Sequence, residues 1–358
     1  VIAREPIPVH LVAGFLGAGK TTLLNRLLRD PALSDALVVV NEWGEIGLDH
    51  LLIERIEGDV LLLASGCLCC SLRDDLVEAL ERLLARRDAG RIKPFSRIVI
   101  ETTGLADPAP ILDALAADPV LAERLVLAGI VTLVDAINGE ATLAARAEAR
   151  RQVAVADRLV ISKTDLVAPG ERAARDARLR ENLRRLNPRA AVFDAAAGEF
   201  SVEDFLAAGE ADPDVSEALS EAPSRFRAEA AHGPAIGAQS LRWPTPIEWR
   251  AAAQLVDLLK AQFGARLLRA KGLIALADDP EKPLLIQGAQ HVFSPPRRLP
   301  AWPDADRATR LVVIGEGLAP GEVDRFWAAV VGAPTIDQPD RAALVENPLA
   351  PRPGGLLA

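Results

Sequence analysis

Gly14-Phe15-Leu16-Gly17-Ala18-Gly19-Lys20-Thr21-Thr22 decides how the rest of this chain is read. The stretch fits G-x-x-x-x-G-K-[ST] and lies between an apolar run, Ile7 to Ala13, and a helical pattern from Lys20 to about Arg29. A loop between a strand and a helix turns its backbone N–H groups, and the positive end of the helix, toward anionic oxygens. Gly14, Gly17, Ala18, Gly19, Lys20, Thr21 and Thr22 are therefore the expected phosphate contacts. Lys20 has the reach for the β- and γ-phosphates and is the first catalytic candidate. Thr21 offers a hydroxyl to Mg²⁺. Lysine is scarce, so its position carries information: only Lys20, Lys93, Lys163, Lys260, Lys271 and Lys282 occur, against 41 Lys and Arg together.

Outward from this loop, short apolar runs alternate with helical patterns. Strands are expected at Ala36 to Val40, Val60 to Leu63, Arg97 to Ile100, Val126 to Val134, Arg158 to Ser162 and Ala190 to Phe193. Helices are expected at Leu72 to Asp88, Ala141 to Ala156 and Glu171 to Leu186. Such alternation predicts an α/β fold, a mostly parallel sheet covered on both faces. After Val202 the composition shifts to Ala, Glu, Pro and Gly, which reads as a linker. A smaller α+β domain follows, with strands at Ser240 to Trp243, Leu267 to Leu276, Leu284 to Phe293 and Arg310 to Ile314. Its helices are expected at Pro246 to Phe263 and Glu322 to Val330. The expected division is 1–206 for the phosphate-loop domain, 207–238 for the linker, 239–346 for the second domain and 347–358 for a Pro/Gly-rich tail.

Two further elements fall at strand ends of the first domain. Glu101-Thr102-Thr103-Gly104 follows Ile98-Val99-Ile100; Glu101 can hold Mg²⁺ or orient an attacking water, and Gly104 lets a backbone N–H approach a γ-phosphate. Ser162-Lys163-Thr164-Asp165 follows Leu159-Val160-Ile161 and has the pattern of a guanine-reading element. A carboxylate only accepts hydrogen bonds, so Asp165 suits the guanine N1–H and N2–H₂ donors, and the Lys163 stem can lie against the base. Asp165 as a plain helix N-cap is the competing reading. Ala195, after Val192-Phe193, is the candidate that completes the base pocket.

All three cysteines lie in Cys67-Leu68-Cys69-Cys70. Thiolates before a helix have lowered pKa and select soft metals, Zn²⁺ or Cu(I), with Co²⁺ open to mixed sulfur and oxygen sets. A fourth ligand has to come from elsewhere; Glu45, in Asn41-Glu42-Trp43-Gly44-Glu45, is the candidate. Buried packing and a Cys67–Cys70 redox pair remain alternative readings of the cluster. Clustered cysteines cannot link remote segments, which favours reducing cytoplasm. A net charge of −9 argues against nucleic acid and against an anionic membrane surface as partners. No apolar run reaches the twenty residues a bilayer span needs, and no signal peptide is expected at Val1 to His10.

Taken together these residues resemble the CobW family of P-loop GTPases, a group that includes metallochaperones. The resemblance rests on the phosphate loop, on Asn41-Glu42-Trp43-Gly44-Glu45 with Trp at the usual Phe position, on Gly66-Cys67-Leu68-Cys69-Cys70, and on Glu101-Thr102-Thr103-Gly104 with Ala106-Asp107-Pro108. It extends through Ser162-Lys163-Thr164-Asp165 to Leu268-Arg269-Ala270-Lys271-Gly272, Gln287-Gly288 and Val313-Ile314-Gly315, which look like the CobW C-terminal domain. It implies a GTPase that uses GTP and Mg²⁺, binds Zn²⁺ or Co²⁺ and delivers it to a client metalloprotein or cofactor pathway. A regulatory GTP-binding module with structural cysteines is the rival. Members divide among zinc transfer, cobalamin synthesis and nitrile hydratase activation, and no residue here decides between them; homo-oligomer formation is equally open.

Overall fold

The computed structural model describes residues 5–42, 60–64, 71–105, 107–209, 226–227 and 235–332. Seven strands form the first sheet: β1 (Ile7–Gly14), β2 (Ala36–Glu42), β3 (Val60–Ala64), β4 (Arg97–Glu101), β5 (Leu125–Asp135), β6 (Arg158–Ser162) and β7 (Ala191–Asp194). Their order is β3-β2-β4-β1-β5-β6-β7, and every pair is parallel. Parallel strands covered on both faces read as unbroken apolar runs rather than alternating ones. Val9, Leu11, Val12 and Ala13 of β1 are fully buried, and so are Ile98 to Ile100 of β4.

Successive side chains divide between the two faces. On one face α1 (Lys20–Leu27) and α8 (Val202–Leu206) pack with Val12, Val99, Val131 and Leu133. On the other lie α2 (Ser71–Asp88), α3 (Ala109–Ala117), α4 (Pro119–Arg124), α5 (Gly139–Ala145), α6 (Ala147–Val155) and α7 (Pro169–Leu186), around Leu11, Ile98, Ile100 and Ile161. α1 has eight residues, too few to persist alone. Burial of Leu23, Leu24 and Leu27 holds it, each contributing about 1.5–3 kcal/mol.

Several expectations change. The stretch expected as one helix, Ala141 to Ala156, is two, α5 and α6, because Arg146 leaves the helical region. Arg150 of α6 then donates to the carbonyls of Leu143 and Ala144 at 2.8 and 3.1 Å, satisfying the free end of α5. α3 and α4 were not expected. Pro110 and Pro119 stand at their first turns, where a missing N–H costs nothing. The strand expected over Leu284 to Phe293 is a hairpin, broken at Gln290, whose φ is 52°.

The second sheet is antiparallel, built from β8 (Phe226–Arg227), β9 (Ile236–Trp243), β10 (Leu267–Ile274), β11 (Leu284–Ala289), β12 (Val292–Phe293), β13 (Arg297–Arg298) and β14 (Thr309–Glu316). β9 starts inside the stretch expected as linker, and the helix expected from Pro246 starts later. Ile247 instead exchanges backbone hydrogen bonds with Ala275 and Ala277, both at 2.9 Å. α9 (Trp249–Phe263) and α10 (Glu322–Val330) cover one face, with Leu255, Leu259, Phe263 and Trp327 in the core. The other face lies on the first domain: Ile236, Ala238, Leu268, Ala289, Val312 and Ile314 join the core of α6 and α7. Across this seam Arg269 is paired with Asp157, both buried. Asp157 also accepts the Ile130 N–H at 2.9 Å.

Candidate nucleotide site

The carboxyl ends of β1, β4, β5, β6 and β7 meet along one edge of the first sheet. Ligand sites of open parallel sheets form along such an edge. Gly14 closes β1, Gly17 takes φ 76°, and Gly19 takes φ 92° and caps α1. That left-handed cap requires glycine, and it starts α1 directly after the loop, where a helix N-terminus favours anions. The Ala18 N–H donates to Phe15 O at 3.0 Å, which closes the turn. Lys20 is buried, and its Nζ donates to Gly14 O at 3.0 Å, across the loop. Thr22 is exposed beside it.

β4 brings the second group. Thr21 donates its hydroxyl to Glu101 Oε1 at 2.8 Å, and Glu101 is only 3% exposed. The Thr102 N–H donates to Val12 O at 3.0 Å, so the segment leaves the sheet alongside β1. Gly104 then presses on the loop: a Cβ there would stand 2.4 Å from Leu16 Cα. No side chain fits, so substitution at Gly104 has to displace the phosphate loop itself. Two hard oxygen donors, Thr21 and Glu101, lie together at the foot of a helix N-terminus, a donor set suited to Mg²⁺.

β6 brings the third group. Ser162 is buried and donates to Ala18 O at 2.6 Å, tying the guanine-type element to the phosphate loop. Lys163 has φ 61°, a left-handed value uncommon away from glycine, and its Nζ lies 2.7 Å from Asp135 Oδ2. Thr164 donates to Asp194 Oδ1 at 2.7 Å. The same oxygen accepts the N–H groups of Ala196 and Ala197, at 2.8 and 3.2 Å. Ala195 donates to Ile161 O at 2.9 Å and accepts Arg26 Nη1 at 2.7 Å. Ser162, Lys163, Asp165 and Ala195 are thus brought to one corner, with Asp165 exposed.

Asp135 was missed by sequence reasoning. It ends β5, and its Oδ1 accepts the Ile137 N–H at 2.6 Å and the Asn138 N–H at 3.3 Å. Burial alone would raise this carboxyl, but the Lys163 ammonium and the Ile137 and Asn138 donors hold it below the usual carboxylate range. Its one sequence signal is an Asp closing the apolar run Ile130 to Val134.

Cys67, Cys69, Cys70 and Glu45 lie outside the described residues. Among the described residues no group of three or more His, Cys, Asp or Glu is placed to hold a metal ion, and no helix is long and apolar enough to cross a membrane.

Residues 8–194 match the model of the CobW/HypB/UreG nucleotide-binding domain, and residues 236–331 match that of the cobalamin synthesis protein cobW C-terminal domain. The chain belongs to the CobW family. Among CobW-family relatives, it is 33% identical to the zinc chaperone YjiA of Escherichia coli over 91% of this chain and 99% of the relative. It is 30% identical to a zinc chaperone CobW of a Sinorhizobium species, over 86% and 92% of the two chains. The crystal structure of the Zn(II)-bound YjiA GTPase superposes with a TM-score of 0.64 at 28% identity, covering 91% of this chain and 99% of that one.

Proposed function

We propose that this chain is a GTPase that couples hydrolysis to the binding and delivery of a transition metal, Zn²⁺ first and Co²⁺ second. The observation that carries the nucleotide half is the Thr21–Glu101 hydrogen bond of 2.8 Å, made beside buried Lys20. Thr21 donates its hydroxyl hydrogen bond to Glu101, which leaves the hydroxyl lone pairs available to a cation. Thr21 and Glu101 would hold Mg²⁺, which when bound neutralises charge developing on the transferred phosphate. Lys20 supplies a fixed positive charge at the loop mouth, and the N-terminus of α1 orients the phosphates. Gly104 offers a backbone N–H where no side chain intrudes. Asp165 accepts from the guanine edge, while Asp135 holds Lys163 and Ala195 borders the base.

Support for the metal half comes from Cys67, Cys69 and Cys70 in the sequence and from relatives named as zinc chaperones. Metal bound there is cargo, with Glu45 as an added ligand. The client is a metalloprotein or a cofactor-pathway protein of the cytoplasm, and a homo-oligomer is compatible with this role. Two measurements test the reading. Purified protein with Mg²⁺ should hydrolyse GTP in preference to ATP, and Asp165→Asn should erase the preference. Reduced protein should bind Zn²⁺, with Cys67→Ala weakening it; indifference to Cys67→Ala would leave a GTP-binding module with structural cysteines.

A further inference from the structure

The second domain reaches directly onto the segment that follows β4. Asp107, six residues beyond Glu101 and just before α3, accepts the Ala109 N–H at 3.0 Å. Its other oxygen lies 3.3 Å from Nη1 of Arg151 on α6. Nε of the same guanidinium lies 2.7 Å from Oε1 of Glu316, at the end of β14 in the second domain. Gln290, held in its left-handed turn by an N–H bond to Leu268 O at 3.0 Å, donates Nε2 to Asp107 Oδ1 at 3.4 Å. One residue on, His291 Nε2 lies 2.9 Å from Asp113 Oδ1 of α3. Two side chains of the second domain, Gln290 and His291, thus meet the 107–113 stretch directly, and Glu316 reaches it through Arg151, which forks between the two domains.

Holding the domains together does not explain this arrangement. The seam is already apolar and carries the buried Arg269–Asp157 pair. Arg151 is about one-third exposed (35%), and ion pairs of that exposure add little to stability. Their location is more informative. The start of this segment is pinned to β1 by Thr102 and against the phosphate loop by Gly104, and its end is pinned by Arg151 and Gln290. A shift of Asp107 therefore acts on a backbone that touches Leu16.

We propose that Arg151 is a positioning residue for nucleotide hydrolysis, through which Glu316 of the second domain sets the pose of Asp107 and, with it, of Gly104 against the phosphate loop. The inference rests on the nucleotide-hydrolysing reading above. Coupling of this kind is reciprocal, so nucleotide state must also alter the second domain.

The test uses the full chain with Arg151→Ala, Glu316→Gln and the double variant. Each single change should lower kcat for GTP about fivefold, with KM within about twofold and thermal stability nearly unchanged. The double variant should be no slower than the worse single one, because both cut one relay. Unchanged kcat in the singles, or effects that multiply in the double, overturns the proposal. Hydrogen exchange of residues 284–293, with GDP against a non-hydrolysable GTP analogue, separates the two claims. It should differ between nucleotides in wild type and converge in Arg151→Ala. A wild-type protein that fails to hydrolyse GTP defeats the functional reading, and identical exchange in both nucleotide states defeats the coupling.

Discussion

Two ionic bridges cross the same domain seam, and burial makes them different devices. Arg269 and Asp157 are 6% and 3% exposed; Arg151 and Glu316 are 35% and 16% exposed. A buried charge that loses its partner has no water to turn to, whereas a half-exposed one does. The first bridge is therefore expected to hold the domains in place, and the second to adjust them at little structural cost.

The largest effect should come from breaking the buried bridge. Arg269→Ala removes the guanidinium of a buried pair, leaving Asp157 the Ile130 N–H and the charge of buried Lys271, and should cost about 3–5 kcal/mol in denaturant unfolding. A loss below about 1 kcal/mol would erase the distinction between the bridges. Acid should probe the same layer. His10 is buried against Phe205, and burial first, then Arg97, lowers its pKa to about 4. The unfolded chain takes up that proton near pH 6.5 and the folded chain does not. Stability should thus be full above about pH 6.5 and fall by about 3 kcal/mol as pH drops toward 4. His10→Phe should flatten that slope; a profile identical to wild type would show that His10 titrates freely.

Intermediate effects belong to the nucleotide corner. Asp135→Asn keeps the shape but removes the charge facing Lys163, and should weaken guanine-nucleotide binding about tenfold, some ~1.4 kcal/mol. Calorimetric titration with GDP reads this, and unchanged affinity would make Asp135 a turn residue only. The smallest effect is expected at the partly exposed bridge. Glu316→Gln should change unfolding free energy by less than about 1 kcal/mol. A larger loss would make it a second clamp and weaken the case for a relay.

The parallel sheet and the phosphate loop were legible because their signals are local. An apolar run, a glycine loop and a helical pattern follow one another within Ile7 to Arg29, and β4 and β6 repeat the rule at Glu101 and Ser162. α3 and α4 were hidden by prolines that mark helix starts as readily as breaks. Arg151 and Glu316 stand 165 positions apart, and no periodicity links them. Asp135 carried only the faint mark of a polar residue closing an apolar strand. Cys67, Cys69 and Cys70 are the plainest signal in the sequence, and their role rests on chemistry and family rather than on described geometry.

That role makes metal affinity the property to measure. The decisive measurement is the Zn²⁺ affinity of reduced protein loaded with GDP or with a non-hydrolysable GTP analogue, using a competing chelator. The account predicts affinities that differ by at least about fivefold between the two states, with the difference lost in Cys67→Ala. Equal affinities in both states would contradict it.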